Sequence, residues 1–323
     1  MNDFYNLKIV INKELSLQRL DKVITLNLKT YSRTQIKALI LNGNVYKNGN
    51  EINDPSYITK EKDEFKINIV AKKENKHQPE DIDLDIVYED KEILVLNKPA
   101  NLVMHPSPGN EQGTLVNALI NYTNNDLSNL NDNSRPGIVH RLDKDTSGIV
   151  VVAKNNKSHI KLADQFKDHS ISRKYKAIVW GVPATQKIEG YIERNKKNRK
   201  KMSLNTKGFG KYSKTLIKLE RSFGIASVID CELFTGRTHQ IRLHLTSKNS
   251  PIVGDKIYGK SKINQFGKDK NMINKFMILK NFDRQALHAY HLGFLHPTTN
   301  KKMVFNVDLP TDFNDLIDLL LKY

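Results

Sequence analysis

The stretch Pro136-Gly137-Ile138-Val139-His140-Arg141-Leu142-Asp143-Lys144-Asp145-Thr146-Ser147-Gly148 holds two carboxylates, an arginine, a histidine and two hydroxyl groups between two glycines. The run after it, 149–153, is apolar and mostly β-branched, which predicts a buried strand. The polar cluster therefore lies where the chain enters the core of a sheet. If the chain around Asp143 is extended, Arg141 and Asp143 share one side, with His140 and Leu142 on the other. An arginine beside a carboxylate keeps it ionised and fixes its orientation, as catalysis by a carboxylate requires.

Length, charge and cysteine content narrow the class of protein. The chain has 323 residues and 38% hydrophobic residues, enough for one large domain and one small domain. Its net charge of +17 favours a polyanionic partner, although a lysine-rich composition alone would give part of that charge. The single cysteine, Cys231, excludes an internal disulfide and predicts a reducing, cytoplasmic environment. We find neither a signal peptide nor an apolar run of the roughly 18 to 20 residues that a membrane helix needs.

Residues 1–75 are predicted to form a small α+β domain. Two amphipathic segments, the second capped by Ser32, predict short helices, and Asn48-Gly49 predicts a hairpin turn. The pattern Arg19-Leu20-Asp21-Lys22 and Ser32-Arg33-x-x-x-x-Lys37 resembles the RNA-binding domain of the S-four type; a plain amphipathic helix pair is the alternative. The resemblance implies that four basic residues contact RNA: Arg19, Lys22, Arg33 and Lys37. Residues 76–82 are predicted to be a linker, and residues 83–323 a second domain.

The second domain carries two further dense motifs. Arg173-Lys174-Tyr175-Lys176-Ala177 alternates like a strand, and Thr235-Gly236-Arg237-Thr238-His239-Gln240-Ile241-Arg242 is strongly polar. Between the stretch 136–148 and the motif that begins at Arg173, Ser158 is predicted to cap a helix. The inner face of this helix is predicted to carry Ile160, Ala163 and Phe166.

Together with His-Arg-Leu-Asp-x-x-Thr-Ser-Gly at 140–148 and Asn97-Lys98-Pro99, these motifs resemble RNA pseudouridine synthases of the Rlu type. The resemblance implies an α+β catalytic domain with a mostly antiparallel, bent sheet and a central cleft. It also implies that uridine is isomerised to pseudouridine without a cofactor or metal. Within the family the sequence looks most like the D-type enzymes that act on large-subunit ribosomal RNA, and the C-type enzymes are the nearest alternative.

The resemblance assigns roles to individual residues. Asp143 is expected to be catalytic, Arg242 to pair with it, and Tyr175 to contact the target base. Arg141 is expected to fill the space that the flipped base leaves, because a base in folded RNA must leave its stack. The predicted substrate-contacting set also includes His140 and an apolar wall residue, Leu287.

A basic segment between two strand-like stretches predicts a hairpin arm that binds phosphates. A solvated charged face is the equally plain alternative. Its basic residues with this predicted role are Arg194, Lys196, Lys197, Arg199 and Lys200. Phosphate contacts would add affinity without choosing the site.

Three other functions compete with the isomerase. A ribosome-assembly factor could use the same fold only to bind RNA, although such a protein needs no carboxylate facing phosphates. A glycosidase could use Asp143 and Asp145 as an acid pair, but residues two apart rarely reach the required separation. A zinc site could use His140, His239 and His244, but their spacing fits no shared helix face well. The expected partner is large-subunit ribosomal RNA or the assembling subunit, bound by a monomer.

Overall fold

The computed structural model describes residues 4–28, 31, 33–70, 78–124, 126–128, 130, 135–198, 201–259 and 269–323. The chain divides into two compact units, residues 1–76 and 77–323. The predicted cap at Ser32 and the start of the predicted linker lie outside the described residues. The end of that linker is attached to the second unit by two hydrogen bonds. Asn117 Nδ2 donates to the Gln78 carbonyl, and the Gly113 N–H donates to the Glu80 carboxylate.

The first unit packs two helices on a four-stranded antiparallel sheet of order β1-β4-β2-β3. Apolar residues from both helices and from the inner face of the sheet form its core. The predicted hairpin at residues 48–49 is confirmed, because it joins β2 to β3. The elements are β1 Phe4–Val10, α1 Leu20–Asn27, α2 Arg33–Leu41, β2 Val45–Lys47, β3 Asn50–Glu51 and β4 Glu64–Val70.

The second unit is built on a ten-stranded sheet with the order β10-β9-β11-β12-β8-β13-β7-β6-β5, and β14 pairs with β13. All of its pairs are antiparallel except β7 with β13, so the predicted α+β class with a mostly antiparallel sheet is confirmed. No helix within the described ranges is long and apolar enough to cross a membrane. The elements are β5 Ile86–Glu89, β6 Ile93–Lys98, α3 Leu115–Tyr122, β7 Ser147–Ala153, α4 Asn156–Lys167, β8 Ser172–Trp180, β9 Gln186–Arg194, β10 Met202–Asn205, β11 Lys211–Ser222, β12 Ala226–Leu233, α5 Gln240–Ser247, α6 Lys270–Lys280, β13 Leu287–Leu295, β14 Lys302–Asn306 and α7 Thr311–Leu321.

The middle of this sheet is buried on both faces. Alternate residues of β7 belong to different apolar clusters: Val150 and Val152 pack on one side, while Ile149 and Val151 pack on the other. A strand covered on both faces reads as a continuous apolar run. The buried strand predicted at 149–153 is therefore confirmed, and it fixes the loop that carries Asp143 at the border of the core.

The prediction for α4 was wrong in its cap and in part of its inner face. The cap is Asn155, whose side chain accepts the Ser158 N–H, and Ser158 itself is buried inside the helix. Ile160 is 52% exposed, while Leu162 is fully buried. The buried stripe of the helix contains His159 and Leu162. Because neighbouring residues lie about 100° apart around a helix, Ile160 falls outside that stripe and faces solvent.

Candidate active site

The loop that carries Asp143 is tied to the sheet by hydrogen bonds just beyond it. The Thr146 hydroxyl accepts from Gln285 Nε2 at 2.6 Å, and the Ser147 hydroxyl lies 2.9 Å from His288 Nδ1. At Gly148 the backbone has a φ of +121° and lies so close to Ala289 of β13 that a Cβ would meet its backbone. Only glycine adopts that conformation readily, so the glycine of the motif allows the parallel approach of β7 and β13.

A buried lysine supports the other side of the same loop. Lys98 ends β6, and its ammonium donates to the carbonyls of Pro99 and Leu102 at 2.7 and 2.9 Å and to that of Lys144 at 3.1 Å. Burial lowers the pKa of Lys98 to about 7. The lysine of the Asn97-Lys98-Pro99 motif thus joins two loops and fixes the residue that follows Asp143.

Arg242 lies between two carboxylates. Its Nη1 donates to Asp143 Oδ2 at 2.8 Å, while Nε and Nη2 donate to the two oxygens of Asp255 at 2.7 and 2.9 Å. Arg242 and Asp255 are buried, whereas the Asp143 side chain is 19% exposed. Burial alone would lower the pKa of Arg242, but both carboxylates outweigh it and raise this pKa. The guanidinium therefore remains charged, and Asp143 keeps one open edge toward the pocket.

Asp255 belongs to none of the sequence motifs and lies in a turn. Besides Arg242, its Oδ1 accepts the N–H groups of Ile257 and Tyr258 at 2.9 and 3.0 Å. Burial would raise the pKa of Asp255, but the hydrogen bonds and charge of Arg242 lower it below its usual value. Aspartates often close a turn by accepting the N–H groups of the residues two and three positions later. The sequence therefore carried no signal that Asp255 also pairs with Arg242.

A small pocket lies against Asp143. Tyr175 of β8 and Leu287 of β13 are buried in its wall, and Arg141 lies exposed at its edge. Burial raises the pKa of Tyr175 to about 12, so it presents a neutral aromatic ring. Asp145 is not among the lining residues, which are Arg141, Leu142, Asp143, Thr146, Tyr175, Leu233, Arg237, His239, Gln240, Ile241, Arg242 and Leu287.

His140 does not reach this pocket. Its Nε2 accepts the Val151 N–H at 3.0 Å, and its ring stacks on Phe166 at 4.6 Å between centroids. Burial lowers the pKa of His140 to about 3. The ring of His140 therefore lies outside the set of residues that line the pocket. The residue is a neutral acceptor that attaches the motif to β7.

His239 also lines the pocket and lies near Asp143. The Met202 N–H can only donate to the Tyr258 hydroxyl, at 2.8 Å, so the hydroxyl hydrogen is available to His239 Nδ1, also at 2.8 Å. Burial lowers the pKa of His239, which keeps the ring neutral. Its proton then resides on Nε2, the nitrogen 3.8 Å from Asp143 Oδ2. The third motif thus supplies a polarised N–H beside the carboxylate.

The three histidines that could have suggested zinc have separate partners. His244 bonds to the hydroxyls of Ser213 and Thr215 at 3.0 and 2.9 Å, far from the contacts of His140. In the described parts of the chain, no three His, Cys, Asp or Glu side chains are grouped so that they could hold a metal ion.

The predicted RNA-contacting residues lie in two places. In the first unit, Arg19, Arg33 and Lys37 surround the buried Asp21 at 3.2, 2.9 and 3.8 Å and keep about half of their side chains exposed, while Lys22 is exposed. Burial opposes ionisation of Asp21, yet the arginines lower its pKa to about 2. In the second unit, Arg194, Lys196 and Lys197 are exposed at the turn between β9 and β10. Arg199 and Lys200 lie outside the described residues.

Comparison with known proteins connects this geometry to a family of enzymes. Residues 92–247 match the sequence profile of a family described as RNA pseudouridylate synthase, and residues 18–65 match that of the S4 domain. Ribosomal large subunit pseudouridine synthase D of Zymomonas mobilis is 40% identical over 316 residues, which are 97% of each chain. The protein of the same name from Buchnera aphidicola is 42% identical over 318 residues, again 97% of each chain.

A solved structure shares the fold. Human RNA pseudouridylate synthase domain containing 4 has a TM-score of 0.55 and 22% sequence identity, and the match covers 73% of this chain and 93% of that chain. The match shows that the two proteins share a fold over most of this chain.

Proposed function

The chain belongs to the RNA pseudouridylate synthase family, and we propose that it isomerises specific uridines of large-subunit ribosomal RNA to pseudouridine. The observation that carries this proposal is the pairing of Asp143 with Arg242 in a pocket walled by Tyr175 and Leu287. A carboxylate reaches the nucleoside, a cation orients the carboxylate, and an aromatic ring holds the base. These are the three groups that the reaction requires.

The reaction moves the ribose from nitrogen to carbon within one nucleotide. The N1–C1′ bond breaks, the uracil turns, and a C5–C1′ bond forms, while C5 gives up a proton and N1 gains one. Asp143 serves this exchange either by attacking C1′ or by assisting elimination of the 2′ proton to a glycal. Both routes need an ionised carboxylate at the sugar, and Arg242 stabilises that charge. No electron changes hands, so the exchange needs no redox cofactor.

The base must leave the RNA stack to reach the pocket. Arg141 lies exposed at the pocket edge with its Nη1 3.4 Å from His105 Nε2. That position suits a side chain that enters the space the uridine vacates. Tyr175 and Leu287 then offer an aromatic and an aliphatic surface to a detached uracil, and His239 directs an N–H toward the reacting end of Asp143.

The basic residues outside the pocket supply affinity. The first unit, with Arg19, Lys22, Arg33 and Lys37, and the β9–β10 turn would bind phosphates. The binding constant K for single-stranded RNA falls as salt rises, and log K plotted against log salt concentration gives a straight line. The slope of this line becomes less steep by about 0.7 for each phosphate that the protein no longer neutralises. Replacing Arg194, Lys196 and Lys197 of the turn by Gln should therefore reduce this slope by up to about 2, measured by filter binding, with unfolding temperature unchanged. An unaltered slope would restrict the turn to a solvated surface.

The substrate assignment rests on the names of the relatives, which favour the D-type group over the C-type group and over a non-catalytic assembly factor. The protein would act as a cytoplasmic monomer on ribosomal RNA or on the assembling subunit. No cofactor takes part in the proposed reaction.

Tritium release tests the proposal. Large-subunit ribosomal RNA with tritium at uridine C5 loses the label when C5 bonds to the ribose. Asp143→Asn should lower the rate by a factor on the order of a thousand or more, while Asp145→Asn, a loop neighbour that does not line the pocket, should keep most of it. Filter binding of both variants should match the wild type. Tight binding without release from free RNA or precursor subunits would instead support the assembly-factor function.

A further inference from the structure

Arg173 is a buried cation with no acidic partner among the residues that the structure describes. It is 7% exposed, and its Nε and Nη2 have no hydrogen-bond partner among the residues the structure describes. Two other arginines of the same unit show what a structural arginine does here. Arg242 and Arg284 are equally buried, and each donates two hydrogen bonds to one carboxylate, Asp255 or Asp312.

The groups that face Arg173 do not neutralise it. The Phe166 ring centroid lies 5.6 Å from its guanidinium carbon, and the neutral His140 stacks on that same ring. Arg237 and Tyr175 also act on its charge, and burial together with Arg237 lowers the pKa of Arg173. His169 lies near both arginines, and they help to lower its pKa. A buried charge without a partner is costly, and two arginines at one place are typical of an anion site.

Arg173 lies beside the pocket rather than inside the general core. It occupies the same face of β8 as Tyr175, two residues away, which is about 6.6 Å along a strand. Its guanidinium contacts the loop before α5, where Gly236 lies directly over Nη1. A Cβ at Gly236 would lie 2.4 Å from that nitrogen, so the glycine leaves room for the guanidinium in its present position. The next residue, Arg237, lines the pocket.

We infer that Arg173 is the binding site for a backbone phosphate of the RNA, next to the uridine that lies on Tyr175, with Arg237 as the second cation. The inference rests on the proposed function, because it places the phosphate beside a flipped uridine. Both the 5′ and the 3′ phosphate of that nucleotide have the required chemistry. A planar guanidinium binds two phosphate oxygens at once, so binding would give Nε and Nη2 the acceptors they lack.

The first test couples the arginine to a single phosphate. Synthetic RNA containing the mapped uridine is made with one neutral methylphosphonate on either the 5′ or the 3′ side. For the unmodified RNA, Arg173→Met should lower kcat/KM about 10- to 100-fold, Arg173→Lys should restore part of it, and Arg221→Met, an exposed arginine on β11, should match the wild type. One neutral linkage should slow the wild type and have no further effect on Arg173→Met. Equal slowing of both proteins by every linkage would overturn the inference.

A second measurement does not depend on turnover. In protein labelled with ¹⁵N-arginine, the Nε–H resonance missing from Arg173→Lys belongs to Arg173. It should shift with uridine 5′-monophosphate and inorganic phosphate but not with uridine, in wild type and Arg221→Met alike. A resonance that neither phosphate compound moves would refute the site, even if tritium release succeeds. If no RNA is isomerised but the resonance shifts, the proposed substrate fails while the phosphate site stands.

Discussion

Replacing Asp255 by Asn tests whether the second carboxylate holds Arg242 in place. The substitution keeps the shape of the side chain and removes its charge. Because Oδ1 already accepts two backbone N–H groups, the new amide nitrogen would lie opposite Arg242 Nε, where Oδ2 now accepts at 2.7 Å. Two donors would then face each other in a buried place. Arg242 would keep only Asp143 as an acidic partner, and its guanidinium would be free to turn.

The expected magnitude follows from this change. Breaking one side of a buried ion pair costs about 3 to 5 kcal/mol. For a unit of residues 77–323, the unfolding temperature should fall by about 6 to 20 °C. A displacement of about 1 Å at a reacting group lowers the rate about 100-fold. We therefore expect kcat to fall by about that factor with little change in KM, because Arg242 orients the carboxylate rather than binding the RNA.

The effect on stability should depend on pH. The pKa of Asp255 is lower in the folded protein than its usual value, so its contribution to stability is complete above the unfolded pKa of about 4. That contribution is lost as the pH falls through the lower, folded pKa. The difference in unfolding free energy between wild type and Asp255→Asn should therefore be constant near neutral pH and shrink in acid.

Urea unfolding at several pH values and single-turnover tritium release would measure both effects. Asp312→Asn is the matched control: Asp312 accepts two hydrogen bonds from Arg284, but its side chain is 46% exposed, and Arg284 also donates to two carbonyls. That control should lose about 1 kcal/mol or less. Equal losses in both variants, or full activity in Asp255→Asn, would refute the positioning of Arg242 by Asp255.

Three other substitutions test neighbouring parts of the structure. Tyr258→Phe removes the hydroxyl that lies between Met202 and His239. The free energy of unfolding in urea should fall by about 1 to 2 kcal/mol, and tritium release should slow. An unchanged rate of tritium release would contradict the proposed role of His239. Asp21→Asn removes the negative charge and one of the two acceptor oxygens that Arg19 and Arg33 share. It should destabilise the first unit by about 2 to 3 kcal/mol, measured by hydrogen exchange in β1 and β4; the wild type should lose this contribution only as the pH falls toward about 2. Gly148→Ala should lower stability by about 4 kcal/mol or more, because the added Cβ meets the backbone of Ala289, and a normal yield of folded protein would contradict that steric clash.

The sequence predicted well wherever a local pattern decides the structure. A β-branched run bounded by a glycine gave the strand that fixes Asp143, and Asn48-Gly49 gave a hairpin. The family resemblance, now shown by the relatives, named Asp143, Arg242 and Tyr175 together. The structure places all three at one pocket, and their catalytic roles remain predictions.

The features that could not be predicted depend on contacts between distant residues. Asp255 resembles any turn aspartate until Arg242, thirteen residues away, lies against it. His140 belongs to the dense motif, yet the register of β7 turns its ring toward Phe166 and away from the pocket. The cap of α4 was misplaced because both Asn155 and Ser158 are good N-cap residues; in the structure the Asn155 side chain accepts the Ser158 N–H, and Ser158 is buried within the helix.

The residues that support the site are buried, while Arg141 and the β9–β10 turn, which are predicted to contact RNA, are exposed, and this separates two kinds of variant. Lys98, Gly148 and Asp255 hold Asp143 or Arg242 through buried contacts, so substitutions there should lower stability and turnover together. Arg141 and the β9–β10 turn are exposed, so substitutions there should lower turnover or RNA binding at an unchanged unfolding temperature. Arg173 is buried, but among the described residues its Nε and Nη2 donate to no protein group. Its replacement should therefore lower turnover without destabilising the fold, and it should even stabilise the protein when no RNA is bound, because the unpaired charge is removed.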